Sequence, residues 1–146
     1  MLTDKEFEIL KHLRGNSRTT VTEIGRKVNL PRSTVYDKIK KFKREGIVNK
    51  YSCLLNFNQL GLPIQVKVLF KADNTSKIKL GETLINSEHT NNVVKLGNEF
   101  DYLASFAFKS MDELHKFLDT LKAEHQIRDY RVLYIANELK REGFLL

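Results

Sequence analysis

The sequence has no tryptophan and one cysteine, Cys53. A single cysteine excludes an internal disulfide and any metal site built from cysteine alone. A small packed side chain is the expected role for it. No run reaches the ~18–20 apolar residues that a membrane span needs. The opening Met1-Leu2-Thr3-Asp4-Lys5-Glu6 lacks the apolar run of a secretion signal, so a cytoplasmic address is expected. The histidines His12, His89, His115 and His125 have no metal-ligand spacing on one helix face or in one short loop. There is no nucleophile motif, no phosphate-binding glycine loop and no carboxylate pair on an apolar helix face. These absences speak against an enzyme, a resident cofactor or a metal. What remains is a chain of 146 residues, long enough for one or two small domains.

Negative charge is also scarce in one part of the chain. Residues 1–58 carry 13 Lys and Arg against 6 Asp and Glu, while residues 59–146 carry 12 of each. The whole net charge of +7 therefore belongs to the first part. Within 26–50 the basic residues are Arg26, Lys27, Arg32, Lys38, Lys40, Lys41, Lys43, Arg44 and Lys50, against only Asp37 and Glu45. Such a patch attracts a polyanion and releases its counterions.

The first segment reads as three helices. Thr3 with Glu6, and Thr20 with Glu23, are capping boxes that open the first two. Phe7, Leu10 and Leu13, with Ile9 alongside, form the first apolar stripe, and Gly15-Asn16 stops it. Val21, Ile24 and Val28 form the second, and Asn29 ends it before Leu30-Pro31 turns the chain. The third helix runs from Arg32 to Glu45 with Gly46 as its C-cap. Its inward stripe, Val35, Ile39 and Phe42, is narrow. Ser33, Asp37, Lys40 and Arg44 point directly away from it, Thr34, Lys38 and Lys41 line one flank, and Arg32, Tyr36 and Lys43 the other.

A short helix, a tight turn and a basic helix with a narrow seam make a helix-turn-helix. Arg32, Ser33, Thr34, Tyr36 and Asp37 stand where base edges are read in the major groove. Tyr36 serves equally as a packing residue. Asp37 faces either a cytosine amine or Lys41 one turn on. Lys40, Lys41 and Lys43 are placed for phosphates, and Lys38 belongs to the same surface. The expected partner is double-stranded DNA.

From Gly46 onward the periodicity changes. Residues 47–62 read as a connector. Ile64, Val66, Val68 and Phe70 alternate as a strand, a weak helix follows near Ile78 to Ile85, and Val93 to Leu96 is a second strand. Residues Gly97 to Asp101 make a turn, in which glycine supplies positive φ and aspartate bonds nearby amides. Tyr102 to Phe108 is a third strand. Ser110 caps a helix whose apolar face is Met111, Leu114, Leu118 and Leu121 with Phe117 beside it, and Ile127 to Ile135 is the last strand. The order β-α-β-β-α-β is ferredoxin-like, an antiparallel sheet with two helices on one face. The bare face calls for a second copy, which would present two reading helices to half-sites about one DNA turn apart. The fold class is thus α+β. Residues 1–46 form a winged-type helix-turn-helix, 47–62 a connector and 63–146 a ferredoxin-like domain.

Several stretches in this order resemble the leucine-responsive/asparagine-regulator (Lrp/AsnC) family of transcription factors. They are Leu2 to Leu10, Leu30 to Tyr36, Lys43 to Val48, Asn56 to Leu62, and Gly97 to Tyr102 with the strand, helix and strand after it. The resemblance implies a DNA-binding domain joined to a ligand-sensing domain, and dimers that build into tetramers or octamers. It implies an amino-acid effector held near Gly97, Asn98, Asp101 and Tyr102. The chain departs from the family in two places. The turn Gly-Asn-Glu-Phe-Asp-Tyr is one residue longer, and Pro31 stands where a serine cap is common.

Two other readings share this architecture. Siroheme decarboxylases are enzymes with the same domain plan, but the missing tryptophan and the strongly basic third helix suit DNA better. A regulator that binds DNA without sensing an effector is the other.

Overall fold

The computed structural model describes residues 1–97 and 99–143. The chain divides into two compact units, one of residues 1–54 with 140–143 of the tail, the other of residues 55–139. Each has its own apolar core.

The first unit holds α1 (Asp4–Gly15), α2 (Val21–Val28) and α3 (Arg32–Arg44). Both threonine capping boxes form: the Thr3 and Thr20 hydroxyls accept from the Glu6 and Glu23 amides, and each carboxylate reaches back to the cap amide. The α2–α3 turn is tight for a specific reason. Asn29 adopts the left-handed conformation at φ 53°, and the amides of Asn29 and Leu30 both donate to the Gly25 carbonyl. A side chain on Gly25 would bring its Cβ within 2.7 Å of the Leu30 carbonyl oxygen, so glycine is what allows the chain to double back here. At the other end of α3, Gly46 at φ 70° completes a Schellman motif, with the Ile47 amide on the Phe42 carbonyl at 2.9 Å. The core of this unit is Ile9, Leu10, Leu13, Ile24, Val28, Val35 and Phe42, with Ile39 and Val48 at its margin.

The expected α1 stripe needs correcting. Phe7 is 46% exposed, and the buried positions are Glu6, Ile9, Leu10 and Leu13. A carboxylate, not a phenyl ring, occupies the inward position one turn before Leu10. Cys53 also departs from expectation, being exposed. Residues 45–63 contain neither helix nor strand.

The second unit holds β1 (Ile64–Ala72), α4 (Lys77–Asn86), β2 (Thr90–Lys95), β3 (Tyr102–Phe108), α5 (Met111–Glu124) and β4 (Ile127–Tyr134). The sheet order is β2-β3-β1-β4, antiparallel throughout. This is the expected βαββαβ order. Val66, Val68, Phe70, Ala72, Tyr102, Ala104, Phe106 and Phe108 turn one face of the sheet to Leu80, Leu84, Leu114, Leu118 and Leu121 of the helices. Met111 lies outside that core at 36% exposure, and Phe117 packs against it. Ser110 caps α5 by accepting from Glu113, while the Glu113 carboxylate takes the Lys109 amide at 2.7 Å.

On the opposite sheet face, Val94, Leu103, Leu69 and Arg131 are neighbours in one row across the strands. Asn92, Ser105, Lys67 and Leu133 form the next row. Val94 and Leu133 are exposed, at 46% and 48%.

Candidate DNA-binding surface and the glycine-aspartate turn

The third helix presents the surface through its seam. Val35 and Phe42 are fully buried, and this fixes the rotation of α3. With the rotation fixed, Arg32, Ser33, Tyr36, Asp37, Lys40, Lys43 and Arg44 are exposed. Lys40 lies 4.9 Å from the Tyr36 ring centroid and Lys43 4.5 Å from that of Tyr51, cation–π contacts that leave both ammonium groups at the surface. The α3 N-terminus has Pro31 as its cap and no side-chain cap bond, so its first amides are not taken up by a cap. An open groove at the turn is lined by Thr22, Gly25, Arg26, Asn29, Leu30, Pro31 and Arg32.

Three of the expected residues sit differently. Thr34, Lys38 and Lys41 occupy the half-buried flank of α3. Lys38 and Lys41 reach Glu6 of α1, with Nζ 3.1 and 3.4 Å from Oε1. The other Glu6 oxygen accepts from the Thr3 amide at 2.9 Å and the Thr3 hydroxyl at 3.2 Å. The Thr3 amide, then Lys38, and after them Lys41 and the Thr3 hydroxyl hold the Glu6 carboxyl down at about 2 against the opposing effect of burial. Lys41 therefore does not serve as the partner of Asp37, which makes no ion pair among the described residues. The sequence signal for Glu6 was present but ambiguous: the capping box accounts for one carboxylate oxygen and leaves the other unassigned.

The glycine-aspartate turn resolves into separate roles. Gly97 is exposed, does not use positive φ, and has open space where a Cβ would stand. The conformational reason expected for this glycine is thus absent. Asn98 lies outside the described residues. Asp101 accepts from the Ala72 amide at 2.9 Å and pairs with the Lys77 ammonium at 2.7 Å. Partial burial pushes its carboxyl up, but Lys77 and the Ala72 amide together outweigh this and hold it below the usual range. Tyr102 is buried, and its hydroxyl donates to the Lys77 carbonyl at 3.0 Å. Asp101 and Tyr102 thereby tie the end of β1 and the start of β3 to the first turn of α4. No group of three or more His, Cys, Asp or Glu side chains among the described residues could hold a metal ion. No helix among them is long and apolar enough to cross a membrane.

Known proteins share the domain and the fold. A family model described as winged helix-turn-helix DNA-binding matches residues 2–49. An uncharacterised HTH-type transcriptional regulator of Pyrococcus abyssi is 28% identical over 144 residues, covering 94% of this chain and 93% of that protein. The solved complex of a Neisseria meningitidis transcriptional regulator with L-Met superposes with a TM-score of 0.90 at 25% identity, covering 100% of this chain and 97% of that one. An AsnC family transcriptional regulator from Agrobacterium tumefaciens superposes at 0.87 with 19% identity, covering 99% and 97%. The exposed basic helix, held by a buried seam, lies within a matched winged helix-turn-helix DNA-binding domain, and relatives over nearly the whole chain are HTH-type transcriptional regulators. More particularly, the two-unit fold, helix-turn-helix followed by a four-stranded antiparallel sheet with two helices, is the fold of the solved Lrp/AsnC structures that the chain resembles.

Proposed function

We propose that the chain is a sequence-specific regulator that reads DNA as a homodimer and responds to an amino acid. The observation that carries the first part is the outward face of α3. Arg32, Ser33, Tyr36 and Asp37 supply base contacts, and Lys40 and Lys43 supply phosphate contacts. Arg32 offers two parallel donors of the kind that read guanine, worth ~1–3 kcal/mol of discrimination. The homodimer rests on the second sheet face, where Val94, Leu103, Leu69 and Leu133 stand among Asn92, Ser105, Lys67 and Arg131 and a second copy would cover the apolar members. The effector rests on likeness to the regulator solved with L-Met. The Gly97 end of the turn carries that role better than Asp101 and Tyr102, whose polar groups already have partners. Relatives that are regulators support action through DNA rather than turnover, and hence a place in the cytoplasm.

Selection of bound sequences from a random DNA pool tests the central reading. It should return a site of two related half-sites. On that site Arg32→Ala should lose more affinity than on random DNA, while Lys43→Ala should lose similarly on both. Equal losses by the two variants on both DNAs would refute the division into base and phosphate contacts. A thermal-shift screen of the amino acids tests the effector. A ligand at ~100 times its Kd adds ~2.7 kcal/mol to the folded state. The absence of a shift with any of them would favour a regulator without an effector. A purified protein with a visible absorption band would instead point to a bound tetrapyrrole and the decarboxylase reading.

A further inference from the structure

We propose that Glu6 is a specificity-determining residue, acting by holding Lys38 and Lys41 of the recognition helix away from DNA phosphates. The inference rests on the DNA-reading role of α3.

Among the described residues Glu6 is the only buried carboxylate. Glu6 lies on α1 rather than on the reading helix, yet one of its oxygens meets two α3 lysines, at 3.1 and 3.4 Å. The four atoms that surround its carboxylate are the Thr3 amide and hydroxyl and the two ammonium groups. A carboxylate out of water must keep cationic or hydrogen-bonding partners, because stranding it costs more than one exposed phosphate contact returns. The two lysines are therefore committed to the protein. Four basic residues of α3, Arg32, Lys40, Lys43 and Arg44, remain exposed for DNA.

The consequence is selective. Phosphate contacts are sequence-independent and supply most of the affinity for random DNA. Removing two cations from that set lowers random binding while leaving the base-reading residues in place. The same pair of contacts, three residues apart on one flank of α3, adds to the buried Val35 and Phe42 seam that keeps Arg32, Ser33 and Tyr36 outward. With the Glu6 carboxyl down at about 2, the arrangement persists through neutral and mildly acidic pH. It is a fixed device, not a pH switch.

The test uses the full chain and a random-sequence DNA duplex, with affinity measured from 50 to 200 mM KCl. Glu6→Gln keeps the cap, because an amide oxygen still accepts from Thr3. It should steepen the plot of log affinity against log salt by about 0.9 for each lysine released, and so by up to about 1.8 per chain. Over this salt range each unit of 0.9 corresponds to about 3.5-fold in affinity. A triple variant, Glu6→Gln with Lys38→Met and Lys41→Met, has a neutral cluster and should return to the wild-type slope. A Glu6→Gln slope equal to wild type would overturn the inference. So would a triple-variant slope shallower than wild type by about 0.9 or more, since the lysines would then already contact phosphate. Should Glu6→Gln fail to fold, the triple variant decides alone. Failure of the wild-type chain to bind DNA at all would overturn the DNA reading as well. Normal wild-type binding with an unchanged Glu6→Gln slope would overturn this inference only.

Discussion

Truncating Phe42 should disable the DNA-binding unit and leave the sheet unit folded. The Phe42 ring is fully buried among Ile9, Leu10, Leu13, Ile24, Val28 and Val35, and none of these belongs to the core beneath the sheet. Its carbonyl also accepts the Ile47 and Val48 amides that close α3, so the ring and the end of the helix are fixed together. Replacing a buried phenylalanine by alanine typically costs ~3–5 kcal/mol through lost burial and the cavity left behind. A unit of this size, 54 residues of continuous chain, has ~3–8 kcal/mol of stability by the usual ~0.05–0.15 kcal/mol per residue. The substitution therefore removes from about 40% to all of it. Amide exchange followed by mass spectrometry separates the units in one experiment. Amides of α3 in Phe42→Ala should exchange at least about 150-fold faster, the equivalent of ~3 kcal/mol. Those of β1 and β3 should be unchanged, and DNA binding should be lost. Equal acceleration in the β1 and β3 amides would show that the two cores unfold as one block and refute the reasoning. Retained protection in α3 would show that the seam does not hold the helix.

Three more outcomes follow from single contacts. Gly25→Ala places a Cβ 2.7 Å from the Leu30 carbonyl oxygen, so the α2–α3 turn must open. Overpacking costs ~1–3 kcal/mol and the better helix propensity of alanine returns at most ~1. A lowered Tm and weaker DNA binding are expected, and an unchanged variant on both counts would refute the tight-turn account. Gly81→Ala meets the Tyr102 hydroxyl at 2.6 Å, and Tyr102→Phe removes that oxygen along with its bond to Lys77. Thermal unfolding of both singles and the double should show the double less damaged than the sum, and strict additivity would count against the contact. The third concerns acid. Glu6 titrates near 4.5 when unfolded and about 2 when folded, so its charged form favours the fold. Its contribution is full above about pH 4.5 and lost as pH falls toward 2. The Tm gap between wild type and Glu6→Gln should shrink across that window, and a gap constant from pH 5 to 2.5 would contradict the ion-pair account.

Local chemistry made much of the fold legible. Thr3 with Glu6, Thr20 with Glu23 and Ser110 with Glu113 marked three helix starts because capping acts within four residues. Gly46 marked the end of α3 for the same reason. Alternation from Ile64 to Phe70 showed β1 because one face of it is buried. What escaped depends on partners far along the chain. The inward place of Glu6 is decided by Lys38 and Lys41, over thirty residues away, and it displaced Phe7 from the expected stripe. Asp101 looked like a turn residue, yet its partners are Ala72 and Lys77. The start of β2 at Thr90 was missed because Asn91 and Asn92 disfavour strands; pairing with β3 overrides them. The surface of α3 was legible as flanks, with Thr34, Lys38 and Lys41 together on one of them, but the partner of that flank was not. That Lys38 and Lys41 face Glu6 became clear only in three dimensions.

The outward face of α3 has an evolutionary meaning. Arg32, Ser33, Tyr36, Asp37 and Lys40 are exposed, and none belongs to a core. Exposed substitutions of this kind usually change stability by less than ~0.5 kcal/mol. On the proposed reading of α3, a gene copy could therefore exchange these side chains one at a time and drift toward a different operator without an unfolded intermediate on the way. The seam and the Glu6 cluster would hold the scaffold constant while the address it reads is rewritten.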